Sequence, residues 1–237
     1  MEYNTVEVLM ITDVQWGAIA CNEERLLRFR DWILSEPNRF VVFGGDMIDA
    51  ATPLSIASPY ENKYEPSEQV FRFCETMIPL RHRVLGYVGG NHEERSARGF
   101  GAAGMLIASL LQIPYSRGKQ MIDIHFGKHK PFKIDLWHGR GSARTKGAKA
   151  QMLDRFMNQG DSQLYLCGHL HDVVLLVNWR QKRTENDIIL EKVIGVMSSS
   201  FLEFWGTYAE RDGLSPSDTM MARTILYPDG DFETTLK

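Results

Sequence analysis

Short apolar runs alternate with amphipathic stretches along the first half of the chain, and each apolar run stops at a glycine or a polar group. Residues 6–11 are apolar except for Glu7 and read as a buried strand running into Asp13 and Gln15. Leu26, Phe29 and Ile33 then recur at helical spacing, with Asn22 placed to cap the helix, acids in its first turn and Pro37 closing it. A second strand, residues 39–43, leads into Gly44-Gly45-Asp46-Met47-Ile48-Asp49. Residues 50–66 have no period and form a long loop. Residues 67–80 carry the stripe Val70, Phe71, Cys74, Met77, Ile78, which predicts a helix turned toward the core.

Residues 84–88 are a third buried strand, broken by a double glycine and followed at once by Asn91-His92-Glu93-Glu94. A Gly/Ala-rich helix over 101–111 ends before Pro114. The pattern then changes. Residues 119–126 and 131–138 alternate as antiparallel strands about a Gly127-Lys128 turn, the second ending at His138. A basic helix over 148–158 precedes a strand at 162–167 that stops at Gly168-His169-Leu170-His171. Residues 173–179, 188–197, 223–226 and 232–236 complete the chain as hairpins. No repeat, linker or low-complexity tract divides residues 1–237, so a single domain is expected.

Composition narrows the classes. Hydrophobic residues make up 43% and charged residues 24%, the values of an ordinary globular protein. No apolar run approaches the ~18 residues of a membrane span, and the N-terminal residues lack a basic start and cleavage site, so the expected location is the cytoplasm. Three widely spaced cysteines fit neither a disulfide framework nor a thiolate zinc site. The net charge of −3 is too small to indicate a partner.

Five strands therefore end in metal-binding groups: Asp13 with Gln15, Asp46 with Asp49, Asn91 with His92, His138, and His169 with His171. Ligands collect at the carboxyl ends of strands in open α/β sheets. Oxygen and imidazole donors without thiolate suit Mn, Mg, Fe or Zn, and a pair of ions needs a bridging carboxylate, for which Asp46 is the candidate. Each motif alone is weak, since Gly-Asp and Gly-Asn are common turn signals and His-x-His is common on strands. Their order carries the information.

Gly45-Asp46-Met47-Ile48-Asp49, Gly90-Asn91-His92-Glu93 and Gly168-His169-Leu170-His171 resemble signature blocks of the calcineurin-like metallophosphoesterases. Asp13-x-Gln15 stands in the place of that family's first Asp-x-His, and His138-Gly139 in the place of its fourth block. The resemblance implies an α/β fold, a four-layer αββα sandwich with two mixed sheets, and two divalent ions, Mn foremost, at the strand ends. It implies that Asp13, Asp46 and His171 hold one ion, and that Asp46, Asn91, His138 and His169 hold the other. His92 is then the catalytic acid at the leaving group, with Asp49 orienting it or a ligand. The aromatic stretch 201–211 resembles the tail of phage- and prophage-encoded members and is expected beside the cleft.

Gln15 departs from the family. Either its amide oxygen is a weaker, harder ligand that moves the first site from zinc toward manganese or magnesium, or it only hydrogen-bonds a water there. Arg95 and Arg98 follow His92, while Arg140, Arg144, Lys146 and Lys149 follow His138 among small residues. Arg95, Arg140 and Arg144 are the candidate substrate-binding residues, although a solvated helix face accounts for the later lysines equally well. Trp16, Tyr60 and Tyr64 could stack a base, with core or loop packing as the alternative. The expected function is hydrolysis of phosphate esters, foremost phosphodiesters of nucleic acid or nucleotides. A phosphomonoesterase of the same fold and a non-catalytic binding module on that scaffold are the rivals.

Overall fold

The computed structural model describes residues 3–53, 58–95, 102–125, 130–184 and 186–237. In chain order the strands are β1 (Val6–Ile11), β2 (Arg39–Phe43), β3 (Val84–Val88), β4 (Tyr115–Ser116), β5 (Gln120–Ile124), β6 (Phe132–Leu136), β7 (Leu164–Cys167), β8 (Val174–Arg183), β9 (Ile188–Met197), β10 (Ala222–Leu226) and β11 (Phe232–Leu236). The helices are α1 (Glu23–Leu34), α2 (Pro66–Met77), α3 (Asn91–Arg95), α4 (Ala103–Leu111), α5 (Lys146–Met157) and α6 (Tyr208–Arg211).

Two mixed sheets result, in the orders β11-β10-β1-β2-β3-β4 and β5-β6-β7-β9-β8. The central strands β1, β2 and β3 are parallel in the first, and β6, β7 and β9 in the second. Period-two alternation decides the layers. Leu9, Ile11, Val41 and Phe43 face a core shared with α1, α2 and α4. Val8, Met10 and Val42 point the other way, into a core shared with Ile134, Leu136, Leu164 and Val196 of the second sheet. Leu153, Phe156 and Met157 of α5 cover the far face of that sheet. The order of layers is helices, sheet, sheet, helix, which is the expected αββα sandwich. Strands buried on both faces, as β1 is throughout, need no polar alternation.

Local signals explain most element ends. Asn22 caps α1, its Oδ1 accepting the Arg25 N–H at 2.8 Å. Helix α5 starts at Lys146 rather than at 148, because Thr145 supplies an N-cap to Ala148 N–H. Helix α2 ends at Met77 and tightens into a 3-10 turn over Ile78–Arg83, since Pro79 removes a helical donor. Its buried stripe is Val70, Phe73, Cys74 and Met77, whereas Phe71 and Ile78 face solvent, which corrects the expected register. The 120–124 and 132–136 strands do pair antiparallel; the Gly127-Lys128 turn lies outside the described residues. Strand β8 runs four residues past Trp179, to Arg183. Cys21, Cys74 and Cys167 are buried free thiols, and no described helix is long and apolar enough to cross a membrane.

Candidate metal centre

The loops leaving β1, β2, β3, β6 and β7 meet where the two sheets face each other. Backbone bonds zip them together: Asp13 N–H donates to Gly45 O at 3.0 Å, Gln15 N–H to Asp46 O at 2.9 Å, and Gly168 N–H to His138 O at 2.9 Å. These loops bend through conformations L-residues avoid. Among the described residues, seven non-glycine residues have positive φ, and five of them are Asp13, Gln15, Asp46, His169 and His171. Strain of this kind persists only where the surroundings over-determine it, and it gathers at functional sites. Gly90 is required for a different reason, since a Cβ there would lie 2.0 Å from Asp46 Oδ1.

One atom of each of Asp46, His138 and His169 lies within 4.8 Å of the others, which makes these three a candidate metal group. Hydrogen bonds orient both rings. His138 Nδ1 donates to Gly44 O at 2.8 Å, which turns Nε2 toward Asp46 Oδ2 at 3.2 Å and Asn91 Oδ1 at 3.2 Å. His169 Nε2 donates to Gly141 O at 2.8 Å, leaving its buried Nδ1 without a hydrogen bond. Carbonyl partners of this kind select the tautomer whose other nitrogen can ligate. Beside this group, His171 Nε2 sits 3.1 Å from Asp13 Oδ1 and 3.3 Å from Gln15 Nε2. That buried carboxylate oxygen has no partner in strict hydrogen-bond geometry, which leaves it free to ligate beside the imidazole nitrogen. The residues present fit divalent cations, with oxygen and imidazole donors and no thiolate.

Electrostatics agree. Burial alone would lower His138, but Asp46, Asp13 and Glu93 outweigh it and raise the imidazole to about 10. Burial opposes ionisation of Asp46, yet His138 and His92 hold its carboxyl far below the ordinary range. A field that draws protons onto imidazole also draws a cation. His169 is lowered, by burial and by the charge of His138.

His92 stands at the edge of this group. Its Nδ1 lies 2.8 Å from Asp49 O and 3.0 Å from Asp49 Oδ1, and its Nε2 lies 3.6 Å from Asp46 Oδ2. Arg95 Nη1 also approaches Nδ1, at 3.1 Å. A nitrogen donating to Asp49 cannot accept from Arg95, and two oxygens against one guanidinium settle the proton on Nδ1. Burial lowers His92, but Asp46 and Asp49 together leave it raised.

Glu93, directly after Asn91-His92, had no role predicted from the sequence. It is buried, and its two oxygens accept four donors: Met47 N–H at 2.6 Å, Tyr87 O–H at 2.9 Å, Gly90 N–H at 2.9 Å and Asp46 N–H at 3.0 Å. Burial and Asp46 push its carboxyl up, while the four donors leave no lone pair for a proton. It clamps the Asp46 loop to the Gly90 turn. The only signal in the sequence was an acid directly after Asn-His.

The basic residues are divided. Arg95 and Arg144 line a cleft of about 330 Å³ that holds Gln15, Asp46, His169 and His171 on its floor. Arg140 instead lines a groove on another side of the centre, with Arg117, His138 and His169. Lys146 and Lys149 are both tied to Asp172, Lys149 at 2.8 Å, and so brace the His171 loop against α5. Arg98 lies outside the described residues. Trp16 is buried and offers no stacking face, and one face of Tyr64 is covered by the Arg72 guanidinium at 4.2 Å. Tyr60 is exposed. The 201–211 stretch does border the cleft, through Leu202, Glu203 and Phe204.

The chain has a two-sheet αββα architecture, with a His/Asp group where the strand ends converge. No protein-family model and no curated protein matches it. Solved structures match over nearly the whole chain at low identity. Among them are a conserved uncharacterized protein of Streptococcus pneumoniae, a predicted phosphoesterase (14% identity, 98% of each chain, TM-score 0.42), and the Haemophilus influenzae NAD nucleotidase (13% identity, TM-score 0.43, 98% of this chain and 49% of that one). The inner-membrane-complex anchor of Plasmodium is a third (9% identity, 99% of this chain and 84% of that one, TM-score 0.45). At such scores the likeness carries no function, and the site has to be read from its own side chains.

Proposed function

We propose that this protein is a metal-dependent phosphoesterase that uses two divalent ions, manganese foremost, to hydrolyse phosphodiesters of nucleic acid or nucleotides. One observation carries the reading: Asp46 Oδ2 lies 3.2 Å from His138 Nε2 and 3.6 Å from His92 Nε2, joining a ligand group to a proton donor. Asp46, Asn91, His138 and His169 would hold one ion, and Asp13, Gln15, Asp46 and His171 the other. Bound divalent ions polarise a phosphoryl group and supply a nucleophile from water at neutral pH.

The chain's own residues do the rest. Asp49 keeps the His92 proton on Nδ1 and stabilises the charged ring, so Nε2 can present a proton to the leaving oxygen. Arg95 binds the reacting phosphate from the cleft, where Arg144 offers a cation to the next phosphate of a chain, and Arg140 offers one in the neighbouring groove. Both spaces include Asn91 and His169, so a chain of phosphates crossing the centre meets positive charge on either side. That arrangement favours a diester in a polymer over a monoester.

The test is hydrolysis of bis-p-nitrophenyl phosphate, p-nitrophenyl phosphate and a single-stranded oligonucleotide with Mn. Diesters are expected to exceed the monoester in kcat/KM. Joint Arg140→Ala and Arg144→Ala should raise KM for the oligonucleotide, flatten its salt dependence and spare the small diester. A faster monoester would make the protein a phosphomonoesterase, and no metal-dependent turnover of any ester would leave only a binding scaffold.

A further inference from the structure

Two cavities lie on either side of a ridge formed by Leu202 and Glu203. The ridge is pinned by Glu203 N–H donating to Ala20 O at 2.8 Å and by Asn22 Nδ2 donating to Glu203 Oε1. One cavity is the cleft that contains Arg95 and Arg144. The other, of about 420 Å³, reaches the same centre at Gln15 and Asp49. Successive residues of one segment serve different sides, Phe204 lining the first and Trp205 the second.

The chemistry of the second cavity is opposite to that of the first. Ile19 and Trp205 supply apolar surface, and Asp49, Glu61 and Glu203 supply carboxylates, while no described residue lining it is Lys or Arg. Trp205 is 75% exposed, and Phe204 packs against it edge-on with centroids 5.1 Å apart, which fixes the indole plane and leaves it open. An open, braced indole is a stacking platform. The carboxylates repel phosphate and accept hydrogen bonds without donating any. Glu61 is engaged by Arg211 and Asp49 by His92, so Glu203, whose Oε1 accepts one bond from Asn22, keeps Oε2 and a second lone pair on Oε1 to read a pair of donors on a ligand.

We propose that this cavity seats the base of the nucleotide on one side of the scissile phosphodiester, and that it favours guanine. The inference rests on the phosphodiesterase reading above and adds to it which substituent goes where. Backbone phosphates follow the arginines; the base turns into the acidic, aromatic side. Guanine alone presents two adjacent donors, N1–H and N2–H₂, to a carboxylate, whereas adenine and cytosine offer one amino group beside a ring acceptor and uracil one N–H between two carbonyls.

The experiment compares p-nitrophenyl 5′-phosphodiesters of guanosine, adenosine, cytidine and uridine with bis-p-nitrophenyl phosphate, in Mn. The guanosine ester should show the lowest KM. Trp205→Ala should raise that KM by about tenfold, the size of one lost stacking contact, with kcat and the bis-nitrophenyl ester unchanged. Glu203→Gln should remove the preference for guanosine over adenosine while stacking persists. Equilibrium titration with guanosine and cytidine 5′-monophosphate reads the cavity without turnover: the wild type should prefer the guanosine form where Glu203→Gln does not, and Trp205→Ala should weaken binding of both. Equal KM for four bases with normal hydrolysis of the bis-nitrophenyl ester overturns this proposal alone. So does tighter use of p-nitrophenylphosphorylcholine than of any nucleoside ester, which would make the cavity an ammonium site. Failure to hydrolyse any diester overturns the phosphodiesterase reading, and equal binding of the two monophosphates then removes the base site as well.

Discussion

Glu93 Oε2 accepts the backbone N–H of Asp46 at 3.0 Å, across 47 residues of sequence, and thereby places the carboxylate around which the centre is built. The same oxygen takes Gly90 N–H, and Oε1 takes Met47 N–H and Tyr87 O–H. No side chain of Glu93 needs to touch an ion for the site to depend on it.

Glu93→Gln should therefore weaken Mn binding by about 10–100-fold, the usual cost of losing a group that orients a ligand. The amide sets an NH₂ against at least one backbone donor, so thermal stability should fall as well. Calorimetric titration of Mn into wild type and mutant, with thermal melts beside it, measures both. Unchanged affinity would mean that the Asp46 loop holds its shape without the clamp.

His92→Ala should retain its metal content and lose about 10²–10⁴ in kcat, because the ring lies beside Asp46 and is positioned by Asp49 rather than by a ligand partner. Metal analysis and single-substrate kinetics on bis-p-nitrophenyl phosphate separate the two effects. Loss of metal in this mutant would move His92 from proton donor to ligand.

Gln15→His should tighten binding at the Asp13–His171 side and shift preference from Mn toward Zn or Fe, since imidazole is a softer donor than an amide oxygen. The Gln15 amide already lies 3.3 Å from His171 Nε2, so the backbone delivers this position to the centre. Its φ of 47° must be kept by the new residue, which histidine tolerates better than branched side chains do. Titration with Mn and Zn decides it; identical affinities would show that residue 15 does not reach the ion.

Far from the centre, Glu7 on β1 gives a pH test of the fold. Burial raises its carboxyl, but Arg223 at 2.8 Å and Arg39 at 3.3 Å outweigh burial and hold it below its ordinary value. A carboxyl lowered in the folded state adds stability above its unfolded pKa and loses it as pH falls through the lower folded one. Glu7→Gln should cost about 1 kcal/mol at neutral pH, because solvent reaches Arg223 and screens the pair. The difference from wild type should shrink toward acid, as urea unfolding at neutral and acid pH would show. A constant difference would assign the loss to packing rather than charge.

Most strands, and the polar residues at their ends, were legible along the chain; the two-residue β4 was not. Burial on both faces of a strand removes polar residues from it, so Asp13, Asp46, Asn91, His138 and His169 stand out where β1, β2, β3, β6 and β7 stop. Helix caps such as Asn22 were legible for the same local reason, since cap and donor are three residues apart. The α2 register was not, because Phe71 and Phe73 fit a helical stripe about equally and only the neighbouring sheet chooses between them.

Everything that joins distant segments was decided by tertiary structure. Which arginine faces which side of the centre depends on how the loop after β6 turns: it puts Arg144 in the cleft and Arg140 in another groove. Lys146 and Lys149 read equally well as substrate cations or as a solvated helix face, and it is Asp172, brought over from the His171 loop, that takes their charge. The clamp of Glu93 on Asp46 and the exposure of Trp205 beside Gln15 and Asp49 are likewise products of sheet order and loop packing. Periodicity along a chain reports which residues leave water, because burial acts on each residue locally. Partners are chosen by contacts between segments far apart in sequence, and one-dimensional patterning holds no record of those.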